Sequence, residues 1–547
     1  MKLLAAALGA LALAAPAQAA RYAVGLKTDA SPDAVAARLD GRVSRGLLDL
    51  RALVVEAPSA SGIAEIPGVA YVERLDRSRR LAFAPPDPFV QRQWYLERIR
   101  AFEAWTEPPP LAGPLVAVID SGIDGGHPEF KGRIAEGRSF VGGDWATDQQ
   151  GHGTFVAGIV GAAHDGKGIA GIAFGSQLLV AKVVRADRTI SLEAEVRAIR
   201  WAVRRGARVI NLSLGGVRDP RNPQNDTFSP LEAAAIDYAY RHGVVLVAAV
   251  GNADQAPARP WPFASYPAAL PHVLGVSALA RDGSVPAFSD RDRIYNDIAA
   301  PGQDLFSTFP LEKTKERAGC VNQGYSDCGP EDYRRAEGTS FAAPQVSAAA
   351  ALLLSVRPEL SPDQVTTLLT RTAVDANATT GCKTCAVLRD ELAGWGRLDV
   401  ANAIAQAATG ALPQPDAFET NDEAGARAQP LYGPRGRTIH ATIDFWDDQT
   451  DVYKVHVRGG QRLSVALTGQ PGGTRVLLWR PGTRAVEGLS VRLQRMRLAQ
   501  SVTRGSSERL SYRVPAGRGG WHFLQVKIER PDWGPYVLRY VKRSVKR

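Results

Sequence analysis

Short runs of apolar, β-branched residues recur between residues 93 and 408, each about the length of one buried strand. They cover residues 115–119, 178–184, 209–214 and 244–250. Stretches with helical character lie between and after them, at 191–205, 231–242 and 341–356. Apolar strands separated by helices are typical of a parallel sheet with helices on both faces. We therefore predict an α/β domain over 93–408, with functional side chains at the carboxyl ends of its strands.

The stretch before this domain has a mixed pattern. Residues 22–26, 52–55 and 69–72 have strand character, and Ser31 followed by Pro32 indicates the start of a helix. Basic and proline-rich residues follow, up to about residue 88, which is typical of an exposed linker. We predict a small α+β unit over 21–82 and a linker over 83–92.

The pattern changes again near the C-terminus. Pro413 and Pro415 mark a second linker, 409–415, and beyond it polar and apolar residues alternate over 451–457, 462–467 and 521–526. Alternation of this kind, broken by glycine pairs, predicts β-strands that are buried on one face. Residues 416–547 are therefore expected to form an all-β module.

The first residues have the pattern of an export signal. Lys2 precedes an apolar stretch over 3–15, and Ala17-Gln18-Ala19 matches the small-residue pattern of a cleavage site. We predict a signal peptide over 1–19 and a secreted or periplasmic protein. Elsewhere no apolar run approaches the roughly 20 residues that span a bilayer, so no transmembrane segment is expected.

Export to an oxidising compartment favours disulfide bonds between the four cysteines. Their spacing suggests two local bridges, Cys320–Cys328 and Cys382–Cys385. A redox-active Cys-x-x-Cys pair and a four-cysteine zinc site are the alternatives. Neither a strand-to-helix redox context nor a histidine at ligand spacing accompanies the cysteines, so structural bridges are the preferred interpretation.

The formal net charge is +10, from 66 basic and 56 acidic residues. Residues 412–547 carry 23 of the basic and 12 of the acidic residues, so the rest of the chain is close to neutral. The basic character is therefore a property of the C-terminal module alone. It is either a solubilising surface or a surface that docks on an anionic envelope or extracellular polymer. Nucleic acid is not an expected partner, because no binding motif accompanies the export signal.

Four polar residues follow apolar strands or open helices. Asp120 ends the strand over 115–119, Asn252 follows the strand over 244–250, His152 lies between two glycines, and Ser340 opens an apolar helix. Pro344 is expected in the opening turn of that helix, where proline removes no hydrogen bond. Each residue alone has a structural interpretation as a cap, a turn residue or a core histidine. Together they supply a carboxylate, a base, a nucleophile and an amide donor.

The sequences around these residues resemble the subtilisin-like serine peptidases, or subtilases, over about 93–408. Val-Ile-Asp-Ser-Gly-Ile contains Asp120, Gly-His-Gly-Thr contains His152, and Gly-Thr-Ser-Phe-Ala-Ala-Pro contains Ser340. The resemblance implies an Asp-His-Ser triad in that family's chain order, with Asn252 as oxyanion donor. It also implies that Ser213, Leu214 and Gly215 bind the substrate backbone and that no cofactor takes part in catalysis.

The same resemblance implies further features. A structural calcium site would use Glu129, Asp165 in the loop 163–169, and Gln91 or Gln93, as oxygen ligands suit a hard cation. The floor of the substrate pocket would lie in 263–265. This stretch contains no carboxylate, so it gives no indication of a preference for basic substrate residues.

The flanking regions have resemblances of their own. The segments 22–27 and 68–73 make residues 21–82 similar to subtilase propeptides, which inhibit the enzyme until they are cleaved. Through Asp416-Ala417-Phe418-Glu419-Thr420-Asn421-Asp422 and the strand that begins Asp451-Val452-Tyr453, residues 416–547 resemble the bacterial pre-peptidase C-terminal domain, a β-sandwich.

The sequence thus predicts a bacterial, secreted serine endopeptidase of broad specificity that acts on proteins or peptides and is made as an autoprocessed zymogen. The alternative is a catalytically silent subtilase scaffold that serves as a basic envelope- or polymer-binding protein.

Overall fold

The computed structural model describes residues 20–39, 43–57, 62–75, 85–105, 113–254, 256–314, 332–409, 417–418, 421–425, 427–446, 448–486, 494–504, 506–530 and 532–544. The predicted signal peptide and the predicted Cys320–Cys328 bridge lie outside these residues. The chain divides into two compact units, Met1–Leu81 and Ala82–Arg547.

The first unit contains a four-stranded antiparallel sheet and one helix. The elements are β1 (Ala20–Leu26), α1 (Pro32–Arg38), β2 (Val43–Leu47), β3 (Ala52–Ala57) and β4 (Val69–Arg74), with the strand order β2-β3-β1-β4. Helix α1 begins as its sequence predicts, because the Ser31 side chain accepts a hydrogen bond from the Ala34 N–H and Pro32 occupies the first turn. Val24, Val35 and Val55 are among the residues of a separate small core.

The second unit is built on a seven-stranded sheet. Its strands are β5 (Leu115–Asp120), β6 (Ile134–Ser139), β7 (Leu178–Lys182), β8 (Ala207–Leu212), β9 (Val245–Ala249), β10 (Val273–Leu279) and β11 (Ile298–Pro301). They are all parallel, in the order β11-β10-β9-β8-β5-β7-β6. A hairpin of β12 (Leu305–Thr308) and β13 (Tyr333–Ala336) follows. The predicted parallel sheet is confirmed, and β5, which ends in Asp120, lies inside it.

Helices cover both faces of this sheet, as predicted. The helices of this unit are α2 (Trp94–Arg98), α3 (Ala101–Ala104), α4 (His152–Gly161), α5 (Leu192–Arg204), α6 (Pro230–Arg241), α7 (Leu311–Thr314), α8 (Thr339–Val356), α9 (Pro362–Arg371) and α10 (Val400–Thr409). Val116 and Val118 of β5 belong to the core that contains α4 and α8, whereas Ala117 and Ile119 belong to the core that contains α5 and α6. Alternate residues of one strand thus enter opposite cores, which explains the continuous apolar run.

Helix α8 is long and apolar enough to cross a membrane by length and composition, but 83% of it is buried inside the protein. It contacts α4 and the central strands β8, β9 and β10. Its apolarity is therefore that of a core helix.

The C-terminal module is a sandwich of two five-stranded sheets, as expected. Its strands are β14 (Gln429–Pro430), β15 (Gly436–Asp444), β16 (Thr450–Val457), β17 (Gln461–Thr468), β18 (Thr474–Trp479), β19 (Arg497–Gln500), β20 (Val502–Arg504), β21 (Ser507–Arg513), β22 (Gly520–Ile528) and β23 (Trp533–Ser544). One sheet has the order β14-β16-β22-β18-β19 and the other β15-β23-β17-β21-β20. Apolar residues of both sheets, such as Val455 and Leu538, share one core.

The module packs directly on the domain that carries the parallel sheet. Trp446 stacks on Trp395 with ring centroids 5.0 Å apart, and the Arg371 guanidinium lies 4.4 Å from the Trp446 ring. Arg371 also forms an ion pair with the buried Asp444. Aromatic and charged groups from both sides thus form one continuous contact, which the sequence did not predict.

Cys382 and Cys385 form a disulfide bond, with their Cα atoms 5.3 Å apart. Both residues are buried against Leu279 and Leu392. The predicted local bridge is confirmed for this pair, and its buried position is that of a structural bond.

Candidate active site

Asp120 and His152 meet at the carboxyl end of the parallel sheet. Asp120 is the last residue of β5 and His152 is the first residue of α4, and His152 Nδ1 lies 2.8 Å from Asp120 Oδ1 and 3.0 Å from Oδ2. A Cβ atom at Gly153 would lie 2.1 Å from the Gly122 carbonyl oxygen. Only glycine therefore lets the first turn of α4 come this close to the end of β5.

Asp148, which sequence reasoning missed, holds this turn in place. Its buried carboxylate accepts hydrogen bonds from the Ser121 hydroxyl, the N–H groups of Gln150, Gly151 and Thr154, and the Thr154 hydroxyl, at 2.7–3.0 Å. The Ser121 hydroxyl in turn accepts from the Gly153 N–H. One carboxylate thus ties the end of β5 to the residues on both sides of His152. In the sequence, only its position four residues before His152, in a polar turn, could have indicated this role.

Ser340 is the second residue of α8. Its Oγ donates to the Ser213 carbonyl oxygen at 3.3 Å, and Ser213 Oγ donates to the Ser340 carbonyl oxygen at 2.6 Å. In the described part of the chain no hydrogen bond joins Ser340 Oγ to the His152 ring, although both side chains line one cleft. Such bonds are often long before substrate binds.

The prediction for Pro344 is wrong, and the correction explains the contact with Ser213. Pro344 is the sixth residue of α8 rather than part of its opening turn. It has no N–H to donate to the carbonyl group four residues earlier, which is that of Ser340. The Ser213 hydroxyl donates a hydrogen bond to this carbonyl oxygen instead. The proline therefore allows Ser213, from the end of β8, to hold the start of α8.

Asn252 lies two residues beyond the end of the run predicted at 244–250. Its Oδ1 accepts from the Thr339 N–H at 3.0 Å and the Thr339 hydroxyl at 3.2 Å. Because these bonds occupy the oxygen, the Nδ2 end of the amide is the one available for donation. The Ser340 N–H lies in the first turn of α8, where a helix provides no acceptor of its own.

One cleft of about 960 Å³ collects all seven predicted catalytic and substrate-binding residues. It is lined by Asp120, His152, Ser213, Leu214, Gly215, Asn252 and Ser340, together with Ser265 and others. Chain segments separated by up to 220 positions thus share one concave surface. A site of this size and polarity can accommodate a peptide segment.

Only part of the predicted pocket floor, residues 263–265, lines the cleft. Ser265 lines the cleft, but Ala264 is fully buried. Behind the lining, the buried Asp290 carboxyl lies 3.5 Å from Ser265 Oγ. Burial raises the pKa of Asp290 to about 8; the Ser265 hydroxyl opposes this rise and the charge of Asp254 adds to it. A carboxyl group thus does lie close to this wall, on a residue 25 positions beyond Ser265, although residues 263–265 contain none.

The electrostatics of His152 reflect two opposing effects. Burial alone would lower the pKa of its imidazole, but the charge and hydrogen bond of Asp120, with the charge of Asp148, raise the pKa above the ordinary value of 6.5. The acidic neighbours thus stabilise an imidazolium. With Nδ1 bound to Asp120, Nε2 is the nitrogen that can take a proton.

The residues expected around calcium are only partly suited to it. Gln93 does not fit, because both ends of its amide are bonded to Ala170. Glu129 is buried; its Oε1 accepts from the Ile169 N–H and the Tyr333 hydroxyl, but its Oε2 has no partner. Asp165 is exposed on the loop.

Asp87, which was not predicted, also faces this loop. Its Oδ1 accepts from the N–H groups of Asp165 and Gly166, and its buried Oδ2 has no partner. Among the described residues, no group of three His, Cys, Asp or Glu side chains converges as metal ligands would. Two buried carboxylate oxygens without partners nevertheless suit a hard cation that takes its remaining ligands from carbonyl groups.

Comparison with known proteins agrees with this geometry. Residues 112–396 match the Subtilase family of peptidases. Subtilisin DY of Bacillus licheniformis is 34% identical over 265 residues, which are 48% of this chain and 85% of that protein. Thermitase of Thermoactinomyces vulgaris is 32% identical over 278 residues, 50% of this chain and 86% of that protein. Subtilisin E of Bacillus subtilis is 29% identical over 363 residues, 64% of this chain and 85% of that protein. The chain therefore belongs to the subtilase family of subtilisin-like serine proteases.

Proposed function

We propose that the chain is a secreted endopeptidase that cleaves proteins through an acyl-enzyme, with Asp120, His152 and Ser340 as its catalytic triad. The observation that carries this proposal is the 2.8 Å contact between Asp120 and His152 in a cleft that also contains Ser340. Ser340 Oγ attacks the peptide carbonyl carbon while His152 Nε2 takes its proton. The C–N bond then breaks, and the leaving amine receives that proton. Water repeats the two steps on the ester and releases the acid.

Asp120 and Asn252 have different roles in these steps. The Asp120 carboxylate holds the Nδ1–H tautomer of His152 and stabilises the imidazolium. Asn252 Nδ2 and the Ser340 N–H donate to the oxyanion that forms on the substrate carbonyl. The anchoring of Asn252 Oδ1 by Thr339 supports this assignment, because it fixes the direction of the amide before substrate arrives.

Ser213, Leu214 and Gly215 provide the edge on which the substrate backbone adds as a strand. Recognition through main-chain hydrogen bonds depends little on sequence. Broad specificity follows from this mode of binding, with the residues near Ser265 adding a preference for the side chain before the cleaved bond.

The processing of the chain follows the order of its segments. Residues 1–19 direct export and are removed. Residues 21–82 assist folding and then inhibit the active site, until the enzyme cuts within the basic, proline-rich stretch that ends near Pro88. The compact first unit with its own core supports a removable segment.

Calcium, which subtilases commonly bind, stabilises the loop 163–169 in this proposal. Glu129 and Asp87 would provide the buried carboxylate oxygens, and Asp165 an outer ligand on the loop. The metal has a structural role and does not take part in the reaction.

A peptidyl phosphonate tests the catalytic proposal. It should label Ser340 covalently in the matured protein and fail to label the Ser340→Ala variant. Ser355→Ala, in the last turns of the same helix, is the matched control and should be labelled like the wild type. Labelling that is absent from matured wild type, or that persists in Ser340→Ala, would reject the triad and favour a silent binding scaffold.

The maturation proposal has a separate test. N-terminal sequencing and intact mass of the exported protein should give a start between residues 78 and 87, which keeps Asp87 in the mature enzyme. A mature form that begins near residue 20 would show that the first unit is retained and is not an inhibitor.

The C-terminal module is proposed to dock the enzyme on an anionic cell-surface or extracellular polymer. Its excess of basic residues supports this role. Binding should weaken as salt screens the charges.

A further inference from the structure

One sheet of the C-terminal sandwich has an outer face rich in arginine. On the sheet β15-β23-β17-β21-β20, five exposed arginines occupy outward positions: Arg462, Arg509, Arg513, Arg539 and Arg543. The residues between them along each strand, such as Leu463 and Leu510, point into the core. We call these five side chains the arginine face.

Strand register places these charges side by side. Arg462 of β17 pairs directly with Arg513 of β21 on one side and with Arg543 of β23 on the other. Four residues further along β17, Ala466 lies between Arg509 and Arg539. At about 4.8 Å between strands and 3.4 Å per residue, the five cations form a grid of roughly 10 by 14 Å.

Nothing in the described part of the chain neutralises this grid. The only acids on these five strands, Asp444 and Glu508, are buried. None of the five arginines forms an ion pair within the described residues. Like charges placed directly opposite each other destabilise a sheet, and a surface that served only solubility would mix both signs.

We infer that the arginine face binds a linear acidic polysaccharide. This inference rests on the docking role proposed above and assigns it a surface and a ligand. Guanidinium groups form paired hydrogen bonds with carboxylate, sulfate or phosphate groups, and a flat sheet offers several of them to one chain at once. Single-stranded nucleic acid fits less well, because binding it usually requires stacked aromatics and the exposed aromatic on these strands, Trp533, lies at the far end of β23.

The test uses the full-length Ser340→Ala protein, with polygalacturonate as the probe and neutral dextran and an oligodeoxythymidine as comparisons. We expect binding to polygalacturonate that weakens with rising salt concentration, and no binding to dextran. The combined change Arg462→Gln, Arg513→Gln and Arg543→Gln should raise Kd about tenfold or more, because a cluster of adjacent cations is lost.

A matched variant carries the same charge change on or next to strands β18 and β19 of the other sheet: Arg480→Gln, Arg484→Gln and Arg497→Gln, three exposed positions outside the arginine face. It should change Kd by no more than about twofold, an effect of net charge alone. An equal loss in both variants would overturn the assignment of the surface. Oligodeoxythymidine bound as tightly as polygalacturonate would overturn the choice of ligand, and absent binding of the parent would overturn both.

Two further measurements check that a change in Kd does not come from misfolding and that the binding proposal is tested apart from the protease proposal. The thermal midpoint of the arginine-face variant should stay equal or rise, since opposed like charges are removed. Phosphonate labelling of Ser340 in the active chain reports the protease proposal independently, so a failure of one proposal does not obscure the other.

Discussion

The sharpest prediction concerns Asp148, whose carboxylate organises the turn before His152. In Asp148→Asn one carboxylate oxygen becomes an NH2 group. If the remaining oxygen keeps its three donors, the buried Thr154 N–H loses its acceptor. An orphaned buried donor costs about 1–3 kcal/mol. The three remaining bonds lose their charge assistance, at about 0.5 kcal/mol each.

The two contributions add to about 3 kcal/mol of lost stability. For a cooperative unit of about 300 residues, 1 kcal/mol corresponds to roughly 1.5 °C in Tm. We therefore expect Tm to fall by about 5 °C, measured by calorimetry on the full-length Ser340→Ala chain, in which autolysis is excluded. In the active chain kcat should fall about tenfold or more, because the helix turn that carries His152 is displaced.

Asp282→Asn is the matched control. The exposed Asp282 carboxylate also accepts from an N–H and a hydroxyl, both of Ser284, but water can replace it. Its Tm should change by less than about 1 °C. If Asp148→Asn behaves like this control in both Tm and kcat, the reasoning that Asp148 organises the site is refuted.

Because the pKa of His152 is raised, kcat/KM should fall on acidification with a midpoint above 6.5, measured with a neutral peptide substrate; a midpoint below 6 would contradict this. Asn252→Ala should lower kcat about 10²–10³-fold with little change in KM, and an unchanged kcat would remove Asn252 from the oxyanion site. Burial raises the pKa of Asp290 from 3.8 to about 8, so its ionisation costs stability increasingly as pH rises between these values. Asp290→Asn in the Ser340→Ala chain should therefore leave Tm nearly unchanged near pH 4 and raise it progressively up to about pH 8; a constant difference across this range would contradict the buried-carboxyl explanation.

Much of the candidate site could be predicted from sequence because its chemistry sits in short motifs. Asp120, His152, Asn252 and Ser340 each lie next to glycines or at the end of a regular element, and these local features fix the backbone there. The apolar run that ends at residue 119 is likewise visible, because burial on both faces of a strand needs no information from elsewhere in the chain.

Residues that act through distant partners were missed. Asp148 gains its role from the bond to Ser121, 27 positions earlier, and Asp290 gains its role from a contact with Ser265, 25 positions away. Pro344 was predicted in the opening turn of α8 but lies beyond it. Only the structure showed that the Ser213 hydroxyl donates to the Ser340 carbonyl oxygen in place of the N–H that proline lacks. In each case the partner lies at a sequence distance that no local pattern specifies.

The sequence alone determined the type of each layer and pointed to the residues proposed as catalytic, because periodicity, turn residues and motifs act over a few neighbouring positions. The tertiary structure decided which of those residues meet. It placed Asp120 within 2.8 Å of His152, brought Ser213 to the start of helix α8, and paired Arg462 with Arg513 and Arg543. The physical reason is that strand order and register are set by the packing of whole layers. Contacts between segments far apart in the chain exist only once that packing is complete.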